Sequence, residues 1–189
     1  MDSIQYPWYA VINENSLEQG DFLNNFPIVI PPLSLFSEVT DKAKDDEILD
    51  LEEELDILKF NVVVMTQSCD LNDLQDNDHI ILCPRYDFEQ YIEARNLNQS
   101  DRWGKLVRGQ IVGNHLLNRF ESKDISFEYQ VVDLINILTV PYGFAKEVAK
   151  AQTRRVRLSP PYREHLAQAF SRQFMRVGLP IDLPRKYPG

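Results

Sequence analysis

Residues 60–67, Phe-Asn-Val-Val-Val-Met-Thr-Gln, are apolar and β-branched almost without interruption, and the fold prediction starts from them. Such a run is typical of a central strand that is covered on both faces. Residues 79–83, His-Ile-Ile-Leu-Cys, predict the neighbouring strand, which ends at Pro84. The Asn- and Asp-rich residues 68–78 predict a polar loop that joins the two strands.

Further strands and helices extend this pair into an α+β fold. Short strands are predicted at 21–23, 27–30 and 115–117, and a longer central strand is predicted at 129–139, where both faces are largely apolar. Residues 87–112 carry apolar side chains at helical spacing and predict two helices. No internal repeat is visible, so we expect a single domain.

The last predicted helix has the clearest local signals. Ser159 is a good N-cap, and Pro160 suits the first helical position because its missing N–H costs nothing there. We expect the helix to end near Val177, with Gly178 as its C-cap. By the same reasoning, Asp101 is the predicted cap of the second of the two earlier helices. The apolar stripe of the last helix consists of Leu166, Ala169, Phe170 and Phe174.

Residues 38–58 form an acidic segment, in which ten Asp and Glu residues face two lysines. Apolar residues recur there at spacings of three and four, which predicts one helical stripe surrounded by acids. Two interpretations stay open: a solvated or partly disordered insertion, or an acidic arm that covers a basic groove. The apolar residues of the stripe are Ile48, Leu51, Leu55 and Leu58.

The charge of the chain is unevenly distributed. Residues 1–145 carry a net charge of −16 and residues 146–189 a net charge of +7, which together give −9. This acidity argues against non-specific nucleic-acid binding, which needs clustered cations. No apolar run is long enough for a membrane helix, and no basic region precedes an apolar run at the start of the chain, so we expect no membrane contact. Two cysteines are too few for a disulfide framework, and we expect a cytoplasmic protein with no cofactor.

The order of the predicted elements resembles the PemK/MazF group, which are small SH3-like β-barrels. The resemblance rests on Gly20-Asp21 before a strand, Val62–Met65, a strand that ends in Cys83-Pro84, Val132-Asp133 before a further strand, and the closing helix within Leu158–Leu179. The resemblance implies that this chain is a diverged member of the group, whose proteins are the toxins of bacterial toxin–antitoxin pairs. Residues 1–189 would then be one SH3-like barrel domain with an acidic insertion at 38–58 and a helical insertion at 87–112.

The resemblance also implies an activity, because toxins of this group are sequence-selective endoribonucleases. They place an Arg just before the strand that corresponds to Phe60–Met65, and here that position falls near Lys59 or Phe60. They place a Ser or Thr at the end of the next strand, and here that position falls at Cys83-Pro84. Lysine lacks the planar fork of arginine and proline has no hydroxyl, so RNA cleavage would require Arg85 or Thr66 in those roles.

The run 66–70, Thr-Gln-Ser-Cys-Asp, places polar side chains directly after a buried strand, where binding sites are commonly built. Three interpretations stay open: a structural polar turn; a ligand-binding site formed by Thr66, Gln67, Ser68 and Asp70; and catalysis by Cys69 with His115 as its base. A metal site would recruit Cys69, His79, Cys83 and His115, but their spacing fits no common zinc pattern, and we expect no metal.

A basic group near the C-terminus is the candidate for phosphate or partner binding. Its arginines could pair with acids of this chain, including those of 38–58, or could receive RNA phosphate or an acidic partner. Arg172 and Arg176 lie one predicted helical turn apart. The group consists of Arg154, Arg155, Arg157, Arg172 and Arg176.

The sequence leads to two main functional hypotheses and to a third, an enzyme that binds a small ligand and uses Cys69 and His115. The first is a non-enzymatic protein-binding or regulatory module of a bacterial toxin–antitoxin or defence system, with a protein as its main partner and a second copy of the chain or RNA as alternatives. The second is an endoribonuclease toxin with altered catalytic residues, for which Lys59, Arg85, Cys69 and His115 are the candidates.

Overall fold

The computed structural model describes residues 6–30, 56–152 and 154–175, which fold into an α+β arrangement of antiparallel strands and five helices. The strands are β1 (Tyr9–Ile12), β2 (Phe22–Ile30), β3 (Asp56–Val64), β4 (His79–Asp87), β5 (Asn114–Leu117), β6 (Phe120–Glu121), β7 (Ser126–Phe127), β8 (Gln130–Asp133), β9 (Leu138–Pro141) and β10 (Arg155–Leu158). The helices are α1 (Ser68–Leu71), α2 (Phe88–Ala94), α3 (Gln99–Val107), α4 (Tyr142–Ala151) and α5 (Tyr162–Phe174).

The main sheet is open. Its strand order is β2-β3-β4-β8-β5, and β9 pairs with the first half of β4 while β8 pairs with the second half. Strands β1 and β10 form a separate pair, and so do β6 and β7. The α+β expectation is confirmed, but the strands of the described residues do not close into the barrel that we expected.

The valine-rich stretch forms the predicted central strand beside its predicted neighbour. Residues 62–64 are fully buried and pair with 82–84 of β4. Val63 packs with Phe22 and Leu166 on one face, while its neighbours in β3 pack with α4 on the other. The strand starts earlier than expected, so residues 56–58, at the end of the predicted acidic helix, are strand instead; residues 38–55 lie outside the described part of the chain.

The strand that was expected to end at Pro84 continues to Asp87 as β4. Two other predicted strands have wrong bounds because local hydrogen bonds and backbone geometry change where they begin and end. The strand expected at 129–139 is split into β8 and β9, because Asp133 Oδ1 accepts the backbone N–H groups of Ile135 (3.0 Å) and Asn136 (3.2 Å). The strands expected at 21–23 and 27–30 are one strand, β2, with a bulge between Leu23 and Phe26.

The two helices expected within 87–112 are confirmed as α2 and α3, but two predicted caps are wrong. The side chain of Asn98 caps α3 by accepting the backbone N–H of Asp101 (2.9 Å). Helix α5 begins at Tyr162, after Pro161, rather than at Pro160. Of its predicted apolar stripe, Phe174 is 57% exposed; the predicted end at Val177 and Gly178 lies outside the described residues. No described helix has the length and apolar character that would let it span a membrane.

A buried ionic cluster joins β10 to β2 beside the main sheet. Asp21 is fully buried, and its carboxylate pairs with Arg155 (3.4 Å) and with Arg157. Backbone hydrogen bonds run alongside: Leu158 donates to Gly20 O and Val64 donates to Asp21 O, both at 2.9 Å. The residues that precede β2 therefore connect β10 on one side to β3 on the other.

Replacing Asp21 with Asn should destabilise the fold by about 3 kcal/mol or more, because two arginines, one of them buried, would lose their carboxylate partner. The matched control is Asp124→Asn, which removes the exposed partner of Arg154 and should cost less than about 0.5 kcal/mol. Urea-induced unfolding followed by circular dichroism measures both changes. Equal losses in the two variants would show that the buried cluster contributes no more than a surface ion pair.

Candidate functional site

A polar cavity of about 360 Å³ lies between β2, β3, β4 and β8 and the start of β10. Arg85 of β4 lies in it with a nearly buried side chain. Side-chain amides from three strands surround this arginine, and the β6–β7 hairpin adds an aromatic ring. These residues are Asn24, Asn25, Asn61, Gln130 and Phe127.

The guanidinium of Arg85 is held by neutral groups alone. It donates to the side-chain oxygens of Gln130 and Asn24, and its Nε–H donates to the carbonyl of Val62 (3.4 Å). Its carbon lies 4.3 Å from the centroid of the Phe22 ring, within the range of a cation–π contact. Since a guanidinium has five N–H groups, two remain without a partner among the described residues.

Among the described residues, no carboxylate is in direct contact with the charge of Arg85. Burial lowers the pKa of Arg85 to about 10, and the pKa is still far enough above 7 to keep the side chain charged. The nearest negative group in the network is Asp87, whose carboxylate accepts from Gln130 Nε2 rather than from the arginine. A buried cation that lacks a direct counter-ion and borders a cavity is suited to bind an anion.

The bulge in β2 fixes the position of the amides. Asn25 adopts a left-handed backbone conformation, with φ of 49°, and donates its backbone N–H to Asn61 Oδ1 (3.0 Å). The end of α4 holds Asn24 through Gln152, which accepts the backbone N–H of Asn24 (3.0 Å) and donates to its carbonyl (2.8 Å). Hydrogen bonds to its backbone N–H and carbonyl therefore hold Asn24 in place, and with it the side chain that accepts from Arg85.

A second cavity, of about 750 Å³, adjoins the first and has the opposite charge. The two cavities share Asp87, Ser126 and Phe127 as lining residues. The charged residues that line the larger one are all acidic: Asp87, Glu89 and Glu128. Its aromatic wall is formed by Trp103, whose ring meets those of Phe88 and Tyr129 edge to face at centroid distances of 5.1 and 4.8 Å.

The predicted ligand-binding run at 66–70 is used largely for internal contacts. Thr66 Oγ1 accepts the backbone N–H of Ile81 (2.8 Å), and Ser68 Oγ accepts that of Gln19 (3.1 Å). None of the five residues lines the Arg85 cavity. Part of the predicted polar loop is the short helix α1. The contacts favour the structural-turn interpretation, and the ligand-binding role of Gln67 and Asp70 stays a prediction.

The catalytic candidates other than Arg85 lie elsewhere. Cys69 is exposed on α1, and its hydrogen-bond partners are Gln67 and Asp70. His115 is in β5 and lines a different cavity from Arg85. Lys59 is exposed on β3, where it pairs with Pro27, and does not line the Arg85 cavity. In the part of the chain that the structure describes, no group of three or more His, Cys, Asp or Glu residues could hold a metal ion.

The C-terminal arginines pair mainly with acids of this chain. Arg154 pairs with Asp124 and also lines the Arg85 cavity. Arg155 and Arg157 pair with Asp21, and the latter also contacts Glu14 and Glu18. Arg172 is exposed on α5, whereas Arg176 lies outside the described residues. These contacts favour pairing within the chain for Arg154, Arg155 and Arg157, and their role in partner or phosphate binding stays a prediction.

Sequence reasoning named Arg85 but missed the residues of the network around it. Asn24, Asn61, Asp87 and Gln130 are far apart in the chain and belong to no motif, so only the strand register brings them together. Comparisons with protein-family models, with curated proteins and with solved structures found no match for this chain. The chemistry of the cavities is therefore the basis for a functional interpretation.

His115 should titrate far below the ordinary range, because burial, and then the nearby His165, lower its pKa to about 4. The unfolded chain takes up this proton near pH 6.5, so the contribution of the neutral imidazole to stability is complete above pH 6.5. It is lost as pH falls through about 4, by roughly 3 kcal/mol in total. Histidine NMR signals followed from pH 3.5 to 8 measure the pKa.

The control for this titration is His115→Gln, which removes the ionisable ring. Its stability should fall less steeply between pH 6.5 and 4 than that of the unaltered protein, because the glutamine takes up no proton. Urea-induced unfolding at several pH values gives the comparison. A His115 signal that titrates near pH 6.5 would show that the ring is accessible to water.

Proposed function

We propose that this chain is a non-enzymatic protein-binding module that receives an acidic group of its partner in the Arg85 cavity. The observation that supports the proposal is the charged, nearly buried guanidinium, whose partners among the described residues are neutral and leave two of its N–H groups over. Arginine presents a planar fork that matches a carboxylate, and such pairs are stronger away from water. A partner carboxylate would supply the counter-ion that Arg85 lacks.

The neighbouring cavity favours a protein over a nucleic acid. A phosphate would also suit Arg85, but RNA carries a negative charge at every nucleotide. A strand that continued into the larger cavity would bring its next phosphates towards Asp87, Glu89 and Glu128. The net charge of −9 adds to this repulsion. A polypeptide with one acidic residue followed by a neutral or basic one meets no such penalty.

The endoribonuclease hypothesis keeps one specific observation in its favour. Arg85 and Asp87 line the same cavity, and a cation beside a carboxylate is a combination that general acid–base cleavage of RNA could use. The SH3-like architecture and the toxin–antitoxin or defence setting come from the resemblance to the PemK/MazF group, and they stay proposals for both hypotheses. Neither Lys59 nor Cys69 lines this cavity, so a cleavage mechanism would depend on Arg85.

A capped peptide with a single acidic residue, acetyl-Gly-Gly-Asp-Gly-Gly-amide, should bind, and its Asn counterpart should not. Binding should shift the side-chain amide signals of Asn24, Asn61 and Gln130 in a ¹⁵N NMR titration. Arg85→Lys keeps the charge but loses the fork, and should weaken binding about tenfold, or 1.4 kcal/mol. The matched control is Lys59→Ala, which removes an exposed cation outside the cavity and should bind like the unaltered protein.

An RNA assay separates the two hypotheses. Single-stranded and structured RNA of mixed sequence should remain intact when incubated with the protein, because a protein-binding role gives Arg85 no part in cleaving RNA. Cleavage that disappears in Arg85→Lys and persists in Lys59→Ala would establish the ribonuclease instead. Equal binding of the Asp and Asn peptides would overturn the protein-binding proposal in its present form, since it depends on the acidic group.

A further inference from the structure

A third cavity, of about 420 Å³, lies between α3, α5 and β5 and has an aromatic lining. On one side Trp8 and Tyr162 stack, with ring centroids 3.7 Å apart and planes inclined by 10°. Trp103 and Tyr129 add two further aromatic rings to the lining. None of the described residues that line the cavity is Asp, Glu, Lys or Arg, although a quarter of the chain is charged. This composition favours a neutral, flat ligand.

His115 gives the cavity a polar group that can recognise a ligand. It lies on β5 and lines the cavity, together with Asn118 and with His165 of α5. No hydrogen bond joins the ring of His115 to another of the described residues. An uncharged imidazole offers one donor and one acceptor, so it can bind the N–H of a heteroaromatic ring such as indole.

The aromatic cavity adjoins the acidic cavity, which adjoins the Arg85 cavity, and we call the three together the groove. The aromatic cavity shares Trp103 and Tyr129 with the acidic cavity, which in turn shares Asp87, Ser126 and Phe127 with the Arg85 cavity. Along this line the lining changes from cationic to acidic to aromatic. A bound polypeptide would therefore place an acidic residue in the Arg85 cavity, a neutral or basic residue in the acidic cavity and an aromatic residue in the third cavity.

We propose that the third cavity receives an aromatic side chain of the partner, with tryptophan as the best match, from the same extended segment that delivers its acidic group to Arg85. This inference rests on the proposed function. The indole ring would lie between the Trp8–Tyr162 stack and Trp103, with its N–H near His115. Buried aromatic anchors of this kind contribute much of the binding energy in protein interfaces.

N-acetyl-L-tryptophanamide is the probe, because it carries the neutral ring without a charge. It should shift the indole N–H signals of Trp8 and Trp103 and the ring signals of His115, and leave the side-chain amide signal of Asn24 unchanged. The amides of N-acetyl-lysine and N-acetyl-glutamic acid should not produce these shifts, because the cavity excludes charge. Shifts of equal size from all three would overturn the proposed selectivity.

Two variants test the location, and they do so in different ways. Trp103→Leu removes one wall and should weaken binding of the tryptophan probe at least tenfold. Gly109→Asn blocks the cavity without removing a packed side chain: Gly109 lines it at φ +61°, a conformation that asparagine tolerates, and an added Cβ there would meet nothing within 4 Å. This variant should lose the probe while its thermal midpoint falls only slightly, because asparagine is among the residues that most readily adopt a positive φ. Binding that survives in both variants would overturn the assignment.

A tethered probe tests whether the two subsites serve one segment. Peptides of the form acetyl-Trp-(Gly)n-Asp-amide, with n from two to six, should bind at least tenfold more tightly than either single-residue probe at one spacer length. If the acidic peptide binds and the tryptophan probe does not, the aromatic subsite is wrong and the proposed function stands. If both single probes bind and no tether improves affinity, the single-segment proposal is wrong. If the acidic peptide fails, the proposed function fails first.

Discussion

The fold depends on the buried carboxylate of Asp21, because it fixes β10 beside β2. Two arginines of β10 converge on this one side chain, and Arg155 is further held by the carbonyls of Ala149 (3.0 Å) and Ser16 (2.9 Å). Without the carboxylate, both guanidinium groups would face each other at the edge of the core. Arg155 and Val156 of the same strand, with Arg154 directly before it, form part of the wall of the Arg85 cavity. The ionic cluster therefore determines the shape of the candidate site as well as the attachment of β10.

The two buried arginines, Arg85 and Arg155, are treated differently by the fold. Arg155 contacts a buried carboxylate, so its desolvation is offset within the chain. Arg85 receives amide and carbonyl oxygens and the face of Phe22 instead. Neutral acceptors can hydrogen-bond to the N–H groups. They offset less of the free-energy cost of removing a full charge from water than an anion would. This difference is the physical reason to assign a ligand to one arginine and a structural role to the other.

The sequence predicted the parts of the fold that local patterns determine. The valine-rich strand and the two helices within 87–112 follow from such patterns. Strands β1 and β10 were missed because they pair across almost the whole chain, and α4 was missed because Gly143 and a preceding proline obscure its start. The site could be predicted only as far as Arg85. The amide side chains around Arg85 belong to no sequence motif. They come together through a bulge in β2 and through strand register, and residue propensities for helix or strand predict neither.

The β6–β7 hairpin connects the core to the groove. Phe127 meets the rings of Tyr9 and Phe22 at centroid distances of 5.2 and 5.6 Å, while its own ring lies 5.9 Å from the guanidinium carbon of Arg85. The hairpin turn also carries Asp124, which pairs with Arg154. The ring of Phe127 contacts both the core and the buried cation. Core packing therefore fixes the position of the hairpin, and with it the point at which the lining changes from positively to negatively charged residues. A ligand that fits the groove must therefore change its own charge at the same point, as a polypeptide can and a uniformly charged polyanion cannot.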